Sequence, residues 1–553
     1  MKEQLRLAIR SALEQCFAEG RLSSGSVPDE VQLEVPKNPQ HGDFSTNLAM
    51  TLAKVERKAP RQIAEVLSEF LKTNPLCEKV EIAGPGFINF RLQSACWYEV
   101  LDQIMQQGKD YGRSVAGNGT KIQVEFVSAN PTGPLHIGHG RGAVVGDALA
   151  SVLQAAGYDV QREYYVNDAG NQVQTLGRSI LLRLRELQGE KIVFPEDGYQ
   201  AQYVVDLALK LSTELGALQG VAEAEAIDIC ARFGVKEVLK WIETDLQVFG
   251  IHFDQWYSEK SLYDRNMVEQ ELAKLKQKNL SFTQDDALWL RTTEFGDDKD
   301  RVLIKSDGSY TYFASDVAYH MEKFDRGFDR VIDVWGADHH GYIPRMKAML
   351  AGLGHPPEDL EVLLIQMVNL LRDGKPYIMG KRSGNFITLR EVIDEVGSDA
   401  CRFFFLMRRC DSQLDFDLEL AKQQNSDNPV YYVQYAHARV CSINRNAQEA
   451  GIDLPTPGGC DLSRLELDEE LALAKHLARY PEAISGAASN YEPHRVIFYL
   501  QDLAAQFHSY YNQHRVLVDD TETTQARLYL VNAVRRVLAN ALTLMGLTTP
   551  EKM

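Results

Sequence analysis

Residues 121–166 narrow the possible folds more than any other stretch of this chain. Lys121-Ile122-Gln123-Val124-Glu125-Phe126-Val127 alternates apolar and polar side chains as a strand does. The loop Ser128-Ala129-Asn130-Pro131-Thr132-Gly133-Pro134 ends it. Val145, Ala148, Leu149, Val152 and Ala156 then recur at helical spacing and stop at Gly157, a residue suited to a helix end. A second strand follows over residues 160–166. Strand, helix, strand in this compass predicts a parallel sheet, with the loop emptying at the carboxyl end of the first strand, where open sheets of this kind bind nucleotides.

At about 100 to 200 residues per domain, a chain of 553 residues predicts roughly three to five domains. Residues 1–117 begin with helical spacing and pass to loop and strand signals. There Glu81-Ile82-Ala83-Gly84-Pro85-Gly86-Phe87-Ile88-Asn89-Phe90 reads as a hairpin or a sheet edge, so a small α+β domain is expected. Gly112 to Gly119 reads as a linker. A Rossmann-like parallel-sheet domain is expected over 118–375, interrupted at about 172–280 by a helical insertion and resumed by strand-like runs at 301–304, 331–335 and 363–365. Residues 376–426 form a connecting region. From Asp427-Asn428-Pro429, a helix start signal, residues 427–553 read as an all-α bundle. The fold class is multidomain α/β.

The longest apolar run, Phe403-Phe404-Phe405-Leu406-Met407, is far below the roughly 20 residues that cross a bilayer. The amino terminus is amphipathic and lacks an apolar signal core, so a cytoplasmic protein is expected. Eight scattered cysteines without a C-x-x-C pair predict reduced thiols. The net charge of −18 means that any nucleic-acid partner must be held by local basic surface. Residues 371–410, with eight Lys/Arg against five acids, are one such window.

Three clusters carry chemistry. His136-Ile137-Gly138-His139 opens the helix after the first strand, where two imidazoles and the helix dipole suit phosphate; the same pair also reads as an ordinary helix cap. The polar, glycine-containing stretch from Gly374 to Thr388 is suited to bringing a mobile cation onto a leaving pyrophosphate. Trp335-Gly336-Ala337-Asp338-His339-His340-Gly341 closes a strand at its carboxyl end. No Cys or Glu lies at a familiar zinc spacing nearby, so no metal site is assigned.

His136-Ile137-Gly138-His139, paired with Met379-Gly380-Lys381-Arg382, resembles the HIGH and KMSKS signatures of class I aminoacyl-tRNA synthetases. The stretch from Ser128 to Pro134, the stretch from Asp427 to Arg439, and Asn38-Pro39-Gln40-His41-Gly42-Asp43-Phe44-Ser45-Thr46-Asn47 narrow the resemblance to the bacterial arginyl-tRNA synthetases, over nearly the whole chain. The resemblance implies a ligase that makes arginyl-adenylate from arginine and ATP, with Mg2+ accompanying the nucleotide, and passes arginine to tRNA(Arg). It implies His136, His139 and Lys381 as catalytic residues, with Gly138, Gly336, Asp338, His339 and Arg382 beside them on ATP. Arginine would be held by Glu259, Tyr312 and Asp316 at the guanidinium, by Asn130 at the α-amino and carboxylate end, and by Glu125. Tyr431, Tyr435, Arg439, Tyr510 and Asn512 would meet the tRNA, since aromatics and arginines suit unstacked loop bases. A monomer is expected.

Two positions depart from the family pattern. Ile378 stands where Lys is common and Gly380 where Ser is common, and Gly133 stands where some members have a compensating Lys, so one cation is missing from both places. Two alternatives therefore stay open: a catalytically weakened tRNA-binding paralogue, and a nucleotidyltransferase with an HxGH loop that acts on a small molecule.

Overall fold

The computed structural model describes residues 1–23, 28, 31–216, 218–377 and 387–553. The chain divides into two compact units, one of Met1–Tyr111, Val440–Tyr480 and Ala505–Val537, the other of Gly112–Arg439, Pro481–Ala504 and Leu538–Met553.

In the first unit, α1 (Lys2–Ala18) buries Leu5, Ile9, Ala12, Leu13 and Cys16, one stripe at helical spacing. β1 (Phe44–Thr46) leads into α2 (Leu48–Glu56) and α3 (Pro60–Leu71), the latter with proline at its first position. The expected hairpin is present as β2 (Cys77–Ala83) and β3 (Phe87–Leu92), in a three-stranded antiparallel sheet of order β1-β3-β2. Gly42 is required before β1: at φ +89° its backbone passes so close that a Cβ would lie 2.4 Å from the Phe90 carbonyl oxygen. α4 (Ser94–Gln107) completes the amino-terminal part. Within this unit Tyr529 donates to Asp102 at 2.6 Å and Lys475 pairs with Asp43 at 2.6 Å, so helices distant in sequence share its core.

The second unit is built on β4 (Lys121–Glu125), α5 (Ile137–Ala155) and β5 (Asp159–Val166), the predicted strand–helix–strand. Residues 112–119, expected as a linker, fold back onto the end of α5, where Ser114 N–H donates to Ala155 O and Gly117 N–H to Ala156 O, both at 2.9 Å. The stretch expected as a helical insertion gives α6 (Asn171–Leu187), α7 (Gln202–Leu215) and α8 (Glu223–Val248). It then returns to the sheet as β6 (Gln255–Ser258), four residues too short to show a period. α9 (Lys260–Asp264) and α10 (Met267–Gln277) lead to an antiparallel sheet of β7 (Ser281–Gln284), β8 (Ala287–Leu290) and β9 (Arg301–Ile304), so the strand-like run at 301–304 lies outside the parallel sheet. α11 (Tyr312–Asp325), β10 (Arg330–Gly336), α12 (Ile343–Leu353) and β11 (Leu360–Ile365) follow.

The large sheet is parallel throughout, in the order β11-β10-β4-β5-β6. Strand order reverses at β4, which opens a crevice between the carboxyl ends of β4 and β10. β12 (Val368–Arg372) and β13 (Lys375–Pro376) precede α13 (Leu389–Val396) and α14 (Ser398–Leu406), and β14 (Leu414–Asp417) returns parallel to β12. α15 (Leu418–Lys422) ends before Asn428, whose Oδ1 accepts from Val430 N–H at 3.2 Å as α16 (Pro429–Glu449) begins. The remainder is helical: α17 (Asp468–Leu477), α18 (Tyr480–Ser489), α19 (His494–Gln513) and α20 (Thr521–Leu544). All eight cysteines are free. Among the described residues no helix is long and apolar enough to cross a membrane.

Candidate active site

Val127 and Ser128, just past β4, adopt φ of +68° and +40°. For a β-branched valine this is a strained backbone, the kind concentrated at functional loops. Local bonds hold the conformation. Ser128 Oγ donates to Glu125 Oε1 at 2.8 Å and accepts from Tyr165 N–H at 3.1 Å, while the Tyr164 hydroxyl donates to Ala129 O at 2.8 Å. From α7, the Tyr203 hydroxyl donates to Thr132 O at 2.7 Å.

The loop delivers His136 to the N-cap of α5. Its Nδ1 accepts from Gly138 N–H at 3.1 Å, and the His136 N–H donates to His139 Nδ1 at 3.3 Å. The rings stack with centroids 3.7 Å apart. The imidazoles thus cap the helix through Nδ1, the ordinary reading of this pair, and the cap leaves the other nitrogen of each ring unused. With Nδ1 accepting, the proton of each neutral ring sits on Nε2, which makes two outward N–H donors at a helix N-terminus. Burial, and then His136, hold His139 down at about 3, and burial lowers His136, so both rings stay neutral at physiological pH. Gly138 gives room for the folded-back imidazole: a Cβ there would lie 2.9 Å from His136 Cε1. The backbone on either side of the second signature is hydrogen-bonded. Tyr377 N–H donates to Leu370 O at 2.8 Å before it, and Leu389 N–H to Leu135 O at 2.8 Å after it.

A second group of polar side chains gathers where β5 and β6 end and α11 begins. Glu259 is 3% exposed, and its N–H donates to Val166 O at 2.9 Å. Burial raises its carboxyl to about 7 against a bond from Ser315, with Asp316 and Asp168 adding to the rise. The Asn167 amide donates to Glu259 Oε2 at 2.8 Å. Asp316, likewise raised by burial, accepts a short bond from the Tyr342 hydroxyl. Among the described residues neither Glu259 nor Asp316 pairs with a lysine or arginine, so the pocket carries unbalanced negative character suited to a cation. An adjoining cleft of about 810 Å3 is bounded by Asp168, Gly170, Trp256 and Lys260 and by one face of α8.

Three family models cover most of the chain. The arginyl tRNA synthetase N terminal domain matches residues 3–92, the class I (R) tRNA synthetase catalytic domain 100–409, and the DALR anticodon binding domain 433–553. The arginine–tRNA ligase of Syntrophotalea carbinolica is 62% identical over 555 residues, covering 100% of each chain, and that of Oceanobacillus iheyensis is 48% identical over 554 residues, covering 100% of this chain and 99% of its own. The chain belongs to the arginyl-tRNA synthetase family. It is thus an arginine–tRNA ligase of class I, with arginine, ATP and tRNA as its substrates, and neither the small-molecule nucleotidyltransferase nor the weakened paralogue is favoured. The arginyl-tRNA synthetase of Thermus thermophilus has the same fold at TM-score 0.76, with 25% identity over 99% of this chain and 100% of that one.

Within this synthetase the residues expected from sequence divide by environment. Tyr312 is 64% exposed at the start of α11, Asn130 is exposed in the strained loop, and both lie at the carboxyl edge of the sheet with Glu259 and Asp316. Gly336, Asp338 and His339 end β10 on that edge, with the His339 ring 6.5 Å from Trp335. Lys381 and Arg382, with Ile378 and Gly380, lie outside the described residues. Tyr431 and Tyr435 stack on α16 with centroids 5.8 Å apart, and the Arg439 guanidinium covers Tyr435 at 4.6 Å. On α19, Asn512 is exposed. One expectation needs correction. Tyr510 is 1% exposed with its hydroxyl on Glu470 at 3.2 Å, which makes it core and leaves no face for a base. Glu125, at the end of β4, accepts from Lys323 at 2.6 Å and from Ser128 at 2.8 Å, one donor on each oxygen. Tyr342, Asn167 and Tyr203 went unnoticed in the sequence. For Tyr342 a signal existed, since it follows directly on Asp338-His339-His340-Gly341.

Proposed function

We propose that the carboxyl edge of the parallel sheet activates arginine, with His136 and His139 donating from Nε2 to the phosphates of ATP and Glu259 and Asp316 receiving the guanidinium. The observation that carries this reading is the pair of carboxylates, Glu259 buried and Asp316 half-buried, without a lysine or arginine partner among the described residues, on the same sheet edge as two neutral imidazole donors. Five fixed N–H donors on arginine need acceptors in fork geometry, which two carboxylates supply. Tyr312 closes the guanidinium side, and Asn130 takes the α-amino and carboxylate end. Gly138, Gly336, Asp338 and His339 line the nucleotide, with Lys381 and Arg382 on the leaving pyrophosphate. Mg2+ is assigned to the substrate, carried on phosphate oxygens, because it prefers oxygen ligands and the imidazoles offer nitrogen. Tyr431, Tyr435 and Arg439 on α16, and Asn512 on α19, are assigned to tRNA. The enzyme works as a cytoplasmic monomer.

Pyrophosphate exchange into ATP, run across the amino acids with and without tRNA, tests the reading. Exchange should appear with arginine alone among them, and family resemblance implies that it waits for tRNA. Exchange with another amino acid at comparable rate overturns the carboxylate pocket, and robust exchange without tRNA overturns the coupling.

A further inference from the structure

One face of α11 carries Asp316, His320 and Lys323, spaced four and seven residues apart so that they stack along the helix. Facing them, β4 and β10 present Glu125 and Asp333, which are register partners on adjacent strands. Both are buried, Asp333 completely. Two carboxylates side by side in a core need cations to neutralise them. Lys323, itself wholly buried, donates to Glu125 Oε2 at 2.6 Å and to Asp333 Oδ1 at 3.0 Å.

The remaining Asp333 oxygen, Oδ2, lies 2.9 Å from His320 Nε2, and His320 Nδ1 lies 2.9 Å from the Asp316 carbonyl oxygen. Both of those partners are acceptors, and a neutral imidazole has one N–H. Asp333 is not the source of a second proton. Burial raises its carboxyl, but Lys323 and then His320 overcome that and hold it at about 2. The groups around the ring are Asp333 and Glu125 from the sheet, with Lys323, Asp316 and the edge-on Tyr319 ring at 5.6 Å from its own helix. Both acceptors are satisfied only if the imidazole carries two protons, which adds a second cation to Lys323 among the carboxylates of Glu125, Asp333 and Asp316.

We propose that His320 is an imidazolium locked between the Asp333 carboxylate and the Asp316 carbonyl, and that it is a positioning residue for arginine binding. It fixes the turn of α11 that carries Asp316 and sets a positive charge one turn along from a carboxylate that burial would otherwise neutralise. The inference rests on Asp316 as a guanidinium ligand, the reading given above. His320 touches no substrate; it keeps Asp316 ionised until the guanidinium arrives.

The state of the ring is read directly by nitrogen NMR of the full-length wild-type enzyme labelled in histidine, with His320→Gln identifying the signal. Two protonated ring nitrogens are expected at about neutral pH, and one bare nitrogen overturns the inference. In kinetics, His320→Gln should raise the arginine KM by about tenfold, the effect of one pKa unit, with kcat at saturating arginine and the KM for ATP within about twofold of wild type. A fall in kcat with arginine KM unchanged overturns the positioning role. Asp316→Asn measured alongside separates the two readings. An unchanged arginine KM in that variant overturns the assignment of Asp316 to guanidinium, whereas a bare nitrogen in wild type overturns only the imidazolium.

Discussion

The proposed role of His136 and His139 on phosphate rests on what their inner nitrogens do. With each Nδ1 occupied by a backbone N–H, the ring cannot turn away, and its Nε2–H is aimed before ATP arrives. Loss of one such preorganised donor costs about 10²- to 10³-fold in rate. His136→Ala and His139→Ala should each lower kcat by that order in single-turnover adenylate formation, with arginine binding largely kept. Because burial keeps both rings neutral, the wild-type kcat should show no imidazole limb between about pH 7 and 8. Glu259 behaves oppositely. Its carboxyl, raised to about 7 by burial, is largely neutral below that pH and ionised above it. The guanidinium favours the ionised form, so binding expels a proton and the arginine KM should fall as pH rises from 6 to 8, by up to about tenfold per unit on the acid side. Glu259→Gln should flatten this profile at a high KM. A wild-type arginine KM independent of pH removes Glu259 from the pocket.

At the scale of elements, the residues on either side of the second signature are tied to the sheet region, Tyr377 to Leu370 and Leu389 to Leu135. The missing family lysine narrows to few substitutes. Arg372 is committed to Glu395 at 3.0 Å and Glu419 at 3.3 Å, whereas Lys375 is exposed on β13. Lys381 is proposed as the main donor from its place in the family pattern. Lys381→Ala should therefore lower kcat far more than Lys375→Ala, and restoring the family residue with Ile378→Lys should change it by less than about tenfold, equivalent to about 1.4 kcal/mol. Adenylate formation in a single turnover compares the three, and a severe loss confined to Lys375→Ala reverses the assignment.

At the scale of the molecule, one buried arginine ties together segments far apart in sequence. Arg402 on α14 donates to Asp147 Oδ2 on α5 at 2.5 Å, to Phe249 O after α8 at 3.1 Å and to Met545 O after α20 at 3.1 Å. Gly546 has to be glycine beside it, since a Cβ would fall 2.2 Å from Arg402 Nη2. Removing one partner of a buried charge pair typically costs about 3 to 5 kcal/mol, because the other charge is left behind. Arg402→Met should lower the melting temperature by several degrees in a thermal scan, with arginine KM little changed in the protein that remains folded. An unchanged melting temperature shows that Arg162, 3.2 Å from Asp147, suffices alone.

The sequence by itself determined the elements whose signal is local and long. The period of α5, the alternation of β4, the hairpin around Gly84 to Gly86 and the start of α16 at Pro429 all appear where their spacing puts them. It also placed the two histidines at the start of α5, because position after a parallel strand is itself local. Tertiary structure decided what depends on partners. β6 is four residues, too short for a period, and exists because β5 offers it an edge. Tyr510 and Tyr431 have the same side chain on helices of similar pattern, yet only Tyr510 meets a buried Glu470. Glu125 is one acid on a strand in the sequence; the register of β4 against β10 sets Asp333 beside it and brings in Lys323, 198 residues away, to bridge the two. Periodicity reports which face of an element is buried. What lies against that face, and so which charges are free for substrate, is fixed only when the sheet closes.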